Sequence, residues 1–246
     1  MRHNRQAGLT LLEMLIAVTL VSMLSVGILM AMRVGLDALS KANHKLIDNR
    51  RVAGAQRVLE QEIAGFVPVK ALCGAGTQGT APSPIPFFEG QPESMRMVST
   101  YSLQESWRGR PRLLEFEVIP GDQGIGVRLI VNEFPYTGPQ SAGQTCMGMA
   151  PDPLSGMNVP QFVPIQTGPW SFVLADKLAF CRFIYLEPRD PPELERWTQN
   201  WVQPRWPLAV RVEMAPIEDN PARLRPLTVT AAIRVNRSPI IVYGDY

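Results

Sequence analysis

Leu9-Thr-Leu-Leu-Glu13-Met-Leu-Ile-Ala-Val18 opens an apolar stretch that continues to Met32 and decides how the chain is organised. Roughly 20 apolar residues cross the hydrocarbon core of a bilayer, so the stretch is long enough for a transmembrane helix. Glu13 is the one charged residue inside it. Because a charge within a membrane helix is expensive, Glu13 is a candidate functional residue whose partner must be found.

A short basic leader precedes the apolar stretch and ends at Gly8. A secretory signal peptide has a shorter apolar run, followed by a small-residue cleavage site, and neither feature is found here. The simplest alternative is an ordinary N-terminal anchor, with Arg2 and Arg5 in the cytoplasm and the rest of the chain outside. That alternative explains everything except Glu13.

Gly8, Leu9 and Glu13 together resemble the N-terminus of type IV pilins and type II secretion pseudopilins. In that family a basic leader ends in Gly, a hydrophobic residue comes first in the mature chain, and Glu is fifth. Leu9 stands where Phe is most common. The resemblance implies cleavage after Gly8 by a prepilin peptidase and N-methylation of the new Leu9 amine. It also implies a single-pass protein of the inner membrane with a periplasmic head.

Cleavage after Gly8 would create an ammonium group at Leu9, which is a suitable counter-charge for Glu13. An α-amino group, with a pKa of about 8, is largely charged at neutral pH, and pairing relieves much of the cost of burying a carboxylate. Within one helix, residues 9 and 13 are neighbours. In a stack of staggered subunits, Glu13 would instead meet the Leu9 amine of the next chain. Such head-to-tail contacts build filaments.

Composition and charge set broader bounds. The chain has 246 residues and a formal net charge of +2, which Arg2 and Arg5 of the leader account for. No basic run or basic-aromatic interleaving stands out, which argues against nucleic acid as a partner. The length leaves room for one domain beyond the anchor.

The spacing of apolar residues predicts that the helix continues far beyond the membrane. No proline occurs between Leu9 and Phe66, and apolar residues recur at three- and four-residue steps after Arg33. Pro68 predicts an end at Val67. We therefore expect a leader (1–8), a transmembrane half of the helix (9–32), an amphipathic half (33–67) and a β-rich head (68–246).

Alternating apolar and polar residues predict seven strands in the head, at 95–100, 113–119, 126–133, 170–175, 178–186, 208–214 and 227–235. A helix followed by strands, without βαβ alternation, indicates an α+β fold with a mainly antiparallel sheet. Residues 68–93 are expected to form a long surface loop, and 135–169 and 187–206 are expected to be irregular inserts.

Residues that could carry chemistry are few. Residues 74–79 match G-x-G-x-x-G, but the prolines that follow forbid the helix that a dinucleotide site needs. The two histidines, His3 and His44, lie in the leader and the helix, which excludes a histidine-based triad in the head. A solvated loop is favoured over a calcium site for the acidic cluster at Asp190, Glu193 and Glu195. We therefore expect no catalytic residue, cofactor or metal.

The cysteines and two tryptophans complete the candidate sites. We favour a Cys73–Cys146 disulfide with Cys181 buried and free, while three unpaired thiols remain the alternative. Trp197 and Trp201 are expected on a short helical turn that packs both rings onto the sheet. The alternative for this pair is an interface anchor.

The C-terminal half resembles the J-type minor pseudopilin of type II secretion. The resemblance rests on an aromatic strand at 180–185, on Trp197 and Trp201, and on Trp206-Pro-Leu-Ala-Val-Arg-Val212. It implies a place at the tip of a pseudopilus, with I-type and K-type minor pseudopilins, the major pseudopilin and exported proteins as partners. A minor pilin of a type IV pilus and a membrane-anchored periplasmic enzyme are the alternatives.

Overall fold

A computed structural model describes residues 11–74, 83–105, 107–153, 156–188, 195–217 and 227–233. Within these ranges the chain forms one long helix, α1 (Leu11–Ala64), followed by a β-rich head. The helix ends three residues before the expected boundary at Val67. Contacts between Cα atoms divide the chain into two units, residues 1–48 and residues 49–246.

Twelve strands follow α1 in the described part of the head. In chain order they are β1 (Lys70–Cys73), β2 (Ser83–Pro86), β3 (Glu89–Gly90), β4 (Ser94–Ser102), β5 (Trp107–Pro120), β6 (Val127–Pro135), β7 (Cys146–Pro151), β8 (Asn158–Phe162), β9 (Phe172–Glu187), β10 (Arg196–Thr198), β11 (Ala209–Pro216) and β12 (Leu227–Ala232). The main sheet has the order β12-β11-β9-β6-β5-β4-β3, with β10 also paired to β9. β1–β2 and β7–β8 form two-stranded sheets. Every pair between these strands is antiparallel, which confirms the α+β prediction.

The last turns of α1 pack on one face of the main sheet. Their buried stripe consists of Ala55, Leu59 and Ile63, and it shares one apolar cluster with residues of β4, β5, β6, β9, β11 and β12. The Ser99 hydroxyl on β4 donates a hydrogen bond of 2.8 Å to the Glu62 carbonyl oxygen. A Cβ atom at Gly65 would lie 2.5 Å from the Ser99 Oγ. A glycine is therefore needed where the chain leaves the helix against β4.

The other face of β4, β5 and β6 is covered by the insert, which we define as residues 136–171 between β6 and β9. A second apolar cluster lies there, formed by Ala71, Phe87, Val98, Leu113 and Ala142. Beside it Arg96 is 1 % exposed and forms ion pairs with Glu89 and, at 2.8 Å, with Glu115. Its guanidinium also donates to the Val163 carbonyl of the insert. Arg96 thus joins three segments of the chain.

The structure confirms the strands expected from alternation, except that two of them are joined into one strand. The segments expected at 170–175 and 178–186 belong to a single strand, β9, whose irregularity is at Lys177 with a φ of 56°. The last expected strand ends earlier, at Ala232, and residues 234 and 235 lie outside the described ranges.

The expected surface loop at 68–93 is wrong for its described residues. They contain β1, β2 and β3, and Phe87 and Phe88 are buried. Pro84 and Pro86 fit within β2 because a strand of a two-stranded sheet has a free edge, where no ladder hydrogen bond is lost.

The two expected irregular inserts are also partly ordered. Residues 135–169 contain a short helix, α2 (Pro139–Gly143), and the β7–β8 hairpin. Residues 187–206 contain β10. The strands β7 and β8 are short and include Pro, Gly and Met, so they lack the alternation that identifies a half-buried strand.

We predict that Arg96→Ala destabilises the head by about 3–5 kcal/mol, because two carboxylates are left buried without their counter-charge. Arg182→Ala is the matched control, since Arg182 forms an ion pair of 2.7 Å with Glu213 on the exposed side of β9 and β11. The loss of an exposed pair costs about 1 kcal/mol or less. Urea unfolding of both variants measures the difference. Equal effects would contradict the stabilising role assigned to the Arg96 ion pairs.

Candidate functional site

The candidate assembly segment is the N-terminal part of α1. Glu13 lies in the first turn of this helix and its side chain is exposed. Gly8 and Leu9, the residues predicted to be processed, lie outside the described residues.

The residues after Glu13 have the character of a membrane span. The thirty-residue stretch Leu11–Ser40 is long and apolar enough to cross a membrane, by length and composition. Every side chain in it is exposed, including those of its Leu, Ile, Val and Met residues. Removing this apolar surface from water requires lipid or other protein chains.

The hydroxyl groups of the span are compatible with lipid. Thr19, Ser22 and Ser25 donate hydrogen bonds of 2.7–2.8 Å to backbone carbonyls three or four residues earlier in α1. Such bonds satisfy the hydroxyl donors within the helix, as a hydrocarbon environment requires. Between Leu11 and Met32, Glu13 is the one residue whose side chain carries a charge.

Comparison with known families identifies this segment. A family model, the prokaryotic N-terminal methylation motif, matches residues 3–29, a range that contains Gly8, Leu9 and Glu13. The motif indicates a type IV pilin-like protein. It implies processing by prepilin peptidase and assembly with other pilin-like subunits. A search of curated proteins finds no match to the chain.

The structure places the cysteines as the sequence analysis favoured. Cys73 at the end of β1 and Cys146 at the start of β7 form a disulfide, with their Cα atoms 5.3 Å apart. Cys181 on β9 is a free thiol, and burial, together with the charge of Glu93, raises its pKa to about 12. The disulfide ties the insert to the beginning of the head, and Cys181 is an unreactive core residue.

Trp197 and Trp201 have different environments, and the expected helical turn is wrong. Residues 196–198 form β10, because their backbone completes the ladder of β9. Trp201 is buried against Phe88 and Tyr185, and its indole N–H donates to the Arg205 carbonyl at 2.8 Å. Trp197 is half-buried and lies under the Arg211 guanidinium, 3.9 Å from its ring centre.

The remaining candidates contribute little to a site. Of the acidic cluster, Glu195 is exposed, whereas Asp190 and Glu193 lie outside the described residues. Gly74 forms the turn after β1 and has a φ of 88°, while the rest of the G-x-G-x-x-G match and His3 also lie outside them.

Glu62 is a buried carboxyl group that the sequence reasoning missed. It is fully buried in α1, and within the part of the chain that the structure describes neither carboxyl oxygen has a hydrogen-bond partner. Burial, and then repulsion from Glu133, raises its pKa from 4.5 to about 8. The sequence does indicate that Glu62 is buried, because it follows Leu59 by three residues and precedes Phe66 by four. Both spacings place it on the apolar face of the helix.

We predict that Glu62 makes the stability of the head depend on pH. Its pKa is higher in the folded chain, so folding takes up a proton between about pH 5 and pH 8, and stability falls as the pH rises through this range. Glu62→Gln should remove the part of this slope that Glu62 contributes and stabilise the head by about 2–3 kcal/mol at pH 7. Glu89 and Glu117, whose pKa values burial also raises, should keep their own contributions. Urea unfolding at several pH values measures both effects.

Glu60→Gln is the matched control for Glu62→Gln. Glu60 is an exposed carboxylate on the same turn of α1 and bonds only to Gln56 at 2.9 Å among the contacts described. This variant should keep the pH dependence of the wild type. Parallel pH profiles for Glu62→Gln and the wild type would show that Glu62 is ionised in the folded protein.

Proposed function

We propose that this chain is a J-type minor pseudopilin at the tip of a type II secretion pseudopilus, where it nucleates assembly and supports export across the outer membrane. The observation that carries the proposal is the N-terminal methylation motif on a helix whose apolar stretch to Met32 contains a single carboxylate. The partners we propose are the I-type and K-type minor pseudopilins, the major pseudopilin and exported proteins. The proposed location is the inner membrane, with the head in the periplasm.

The head supports the finer part of this proposal. The residues of the J-type resemblance lie close together in the fold, since Tyr185, Trp201, Trp206, Val210 and Val212 belong to the cluster beneath α1. Tyr185 donates a hydrogen bond of 2.8 Å to the Gln91 carbonyl, which fixes β9 against the segment between β3 and β4. The aromatic strand at 180–185, the loop at 199–206, which we call the tryptophan loop, and the strand that begins at Ala209 therefore all contribute to one apolar cluster.

The disulfide is compatible with a periplasmic head. Disulfides persist in oxidising compartments and are rare in the cytoplasm. The Cys73–Cys146 bond closes 73 residues of sequence. A head outside the inner membrane is thus favoured by its covalent chemistry as well as by the basic leader.

The proposed docking step uses the amine created by processing. Removal of residues 1–8 would leave a cationic nitrogen at Leu9, and methylation would retain its charge. In the assembled filament, Glu13 of one subunit would pair with this nitrogen on its neighbour, in surroundings that exclude water. The pair would align the two helices along the membrane normal before the heads make contact.

We predict that Gly8→Trp blocks processing and leaves membrane insertion intact, because the apolar span is unchanged. Unprocessed protein should accumulate in the inner membrane, as measured by gel mobility and by the mass of the N-terminal peptide. Gly27→Leu is the control, since a Cβ atom at Gly27 would meet nothing within 4 Å in this chain. A Gly8→Trp protein of mature size would contradict the assignment of the cleavage site and favour an anchored enzyme.

We predict that Glu13→Gln is inserted and processed but is incorporated poorly into the filament tip. Loss of one charge from a buried pair costs about 3–5 kcal/mol, and even part of that weakens assembly by more than tenfold. Co-purification of other pilin-like subunits from membranes, together with a secretion assay, measures the loss. Asp37→Asn, which removes another exposed carboxylate of α1, is the control. Wild-type results for Glu13→Gln would exclude the docking step.

A type IV pilus remains the alternative setting, because its minor pilins share the same processing and helix. The genes that neighbour this one would distinguish the two. Genes for an outer-membrane secretion channel would support the pseudopilus, and genes for pilus retraction would support the pilus.

A further inference from the structure

The two edges of the main sheet differ in how far they are covered by other segments. At one edge, β3 has only two residues, and the backbone N–H of Trp201 donates to the Gly90 carbonyl at 2.7 Å. A Cβ atom at Gly90 would lie 2.8 Å from the Trp201 Cβ atom, so the tryptophan loop covers this edge closely. No strand can be added beside Gly90 without displacing that loop.

At the other edge, β12 is longer and has a regular ladder with β11. The Ile233 N–H donates to the Leu208 carbonyl at 2.8 Å, and the register continues through Ala231 opposite Val210 and Val229 opposite Val212. In an antiparallel ladder, residues alternate between those that bond to the neighbour and those that face away. Thr228, Thr230 and Ala232 therefore direct their N–H and C=O groups away from β11. Among the described residues, these groups have no hydrogen-bond partner.

The described part of β12 lacks a charge, a proline and a bulge, three features that usually protect an edge. Proteins block edge strands with charged residues, proline, bulges or a covering segment, because an open edge is a template for another strand. The segment Leu227-Thr-Val-Thr-Ala-Ala-Ile233 contains no charge and no proline. Its register with β11 has no bulge, and Thr228, Thr230 and Ala232 are exposed.

We propose that the β12 edge accepts a β-strand from another pilin-like subunit, which extends the main sheet across the boundary between the two heads. The inference rests on the proposed function for the identity of the partner, because the methylation motif implies assembly with other pilin-like subunits. Backbone hydrogen bonds to Thr228, Thr230 and Ala232 would supply the affinity in this mode of recognition.

The two faces of β12 define the chemistry of the incoming strand. Val229, Ala231 and Ile233 point into the buried cluster beneath α1, whereas Thr228 and Thr230 point to the exposed face. A strand added alongside continues both faces. It should therefore carry apolar, preferably β-branched, residues at alternate positions and polar residues between them.

Thr230→Pro and Thr230→Val form a matched pair that isolates the backbone group. Both variants lose the hydroxyl that lies 3.4 Å from the Arg211 Nε, but only proline removes the outward N–H. Proline is tolerated on an edge strand when its N–H would face away from the sheet, so both proteins should fold. The full-length chain is expressed with the pilin-like subunits of its own organism and purified from membranes in detergent.

We expect Thr230→Pro to recover about tenfold less of one pilin-like subunit than Thr230→Val, which corresponds to about 1.4 kcal/mol. Equal recovery with both variants and the wild type would overturn the edge proposal and leave the proposed function in place. Failure of the wild type to recover any pilin-like subunit would instead count against the proposed function. Recovery of only a second copy of this chain would overturn the assignment of the partner.

Hydrogen exchange on the unmodified chain tests the proposal even if the proline variant does not fold. The amides of Thr228, Thr230 and Ala232 should exchange at least about tenfold more slowly in the assembly than in the isolated chain, because they become hydrogen-bonded. Equally rapid exchange in both states would overturn the proposal. Slow exchange of these amides in the isolated chain would also overturn the proposal if the removal of residues 234–246 made the exchange fast. The chain's own C-terminal segment would then occupy the edge.

Discussion

The head depends on the burial of one stripe of α1 against the main sheet. Leu59 and Ile63 are fully buried, and the strands that meet them come from the whole length of the head, from β4 to β12. Because burial of a large aliphatic side chain contributes about 1.5–3 kcal/mol, these residues hold together strands that are distant in sequence. The same helix begins as an apolar span, so the element that organises the head is also the one that is long and apolar enough to cross a membrane.

The opposite face of the sheet is stabilised by different chemistry. The insert lies over β4, β5 and β6, where a disulfide fastens it at one point and the Arg96 guanidinium contacts it at another. A buried arginine with two carboxylates adds little net stability compared with apolar packing, but it permits few alternative arrangements because each charge needs its partner. The arrangement fixes the position of a segment that is rich in Gly and Pro.

Assembly of a pilin-like subunit places opposing demands on its surface. The apolar span must be covered by lipid or by other helices, and an open sheet edge must avoid indiscriminate pairing. In this chain the β3 edge is closed by the tryptophan loop, whereas the described part of β12 presents unprotected backbone groups. In the proposed location at a membrane, the chain would meet fewer soluble partners than a freely diffusing protein, which would make an open edge less hazardous.

The sequence by itself determined the elements whose signal is local. The apolar span, the carboxylate at Glu13 and the amphipathic part of α1 follow from patterns within one segment. So do the longer strands of the main sheet, which are β4, β5, β6, β9, β11 and β12. Sequence could favour one cysteine pairing without deciding it, since connectivity depends on which loops meet in space. Tertiary structure alone decided the strands between residues 70 and 90, the β7–β8 hairpin and the strand at Trp197. These segments are short, with two to six residues each, and they are ordered by the elements they pack against. Tertiary structure also decided the environments of Arg96 and Trp201. What covers a side chain depends on contacts between residues that are far apart in sequence. The periodicity of a single segment carries no information about such contacts.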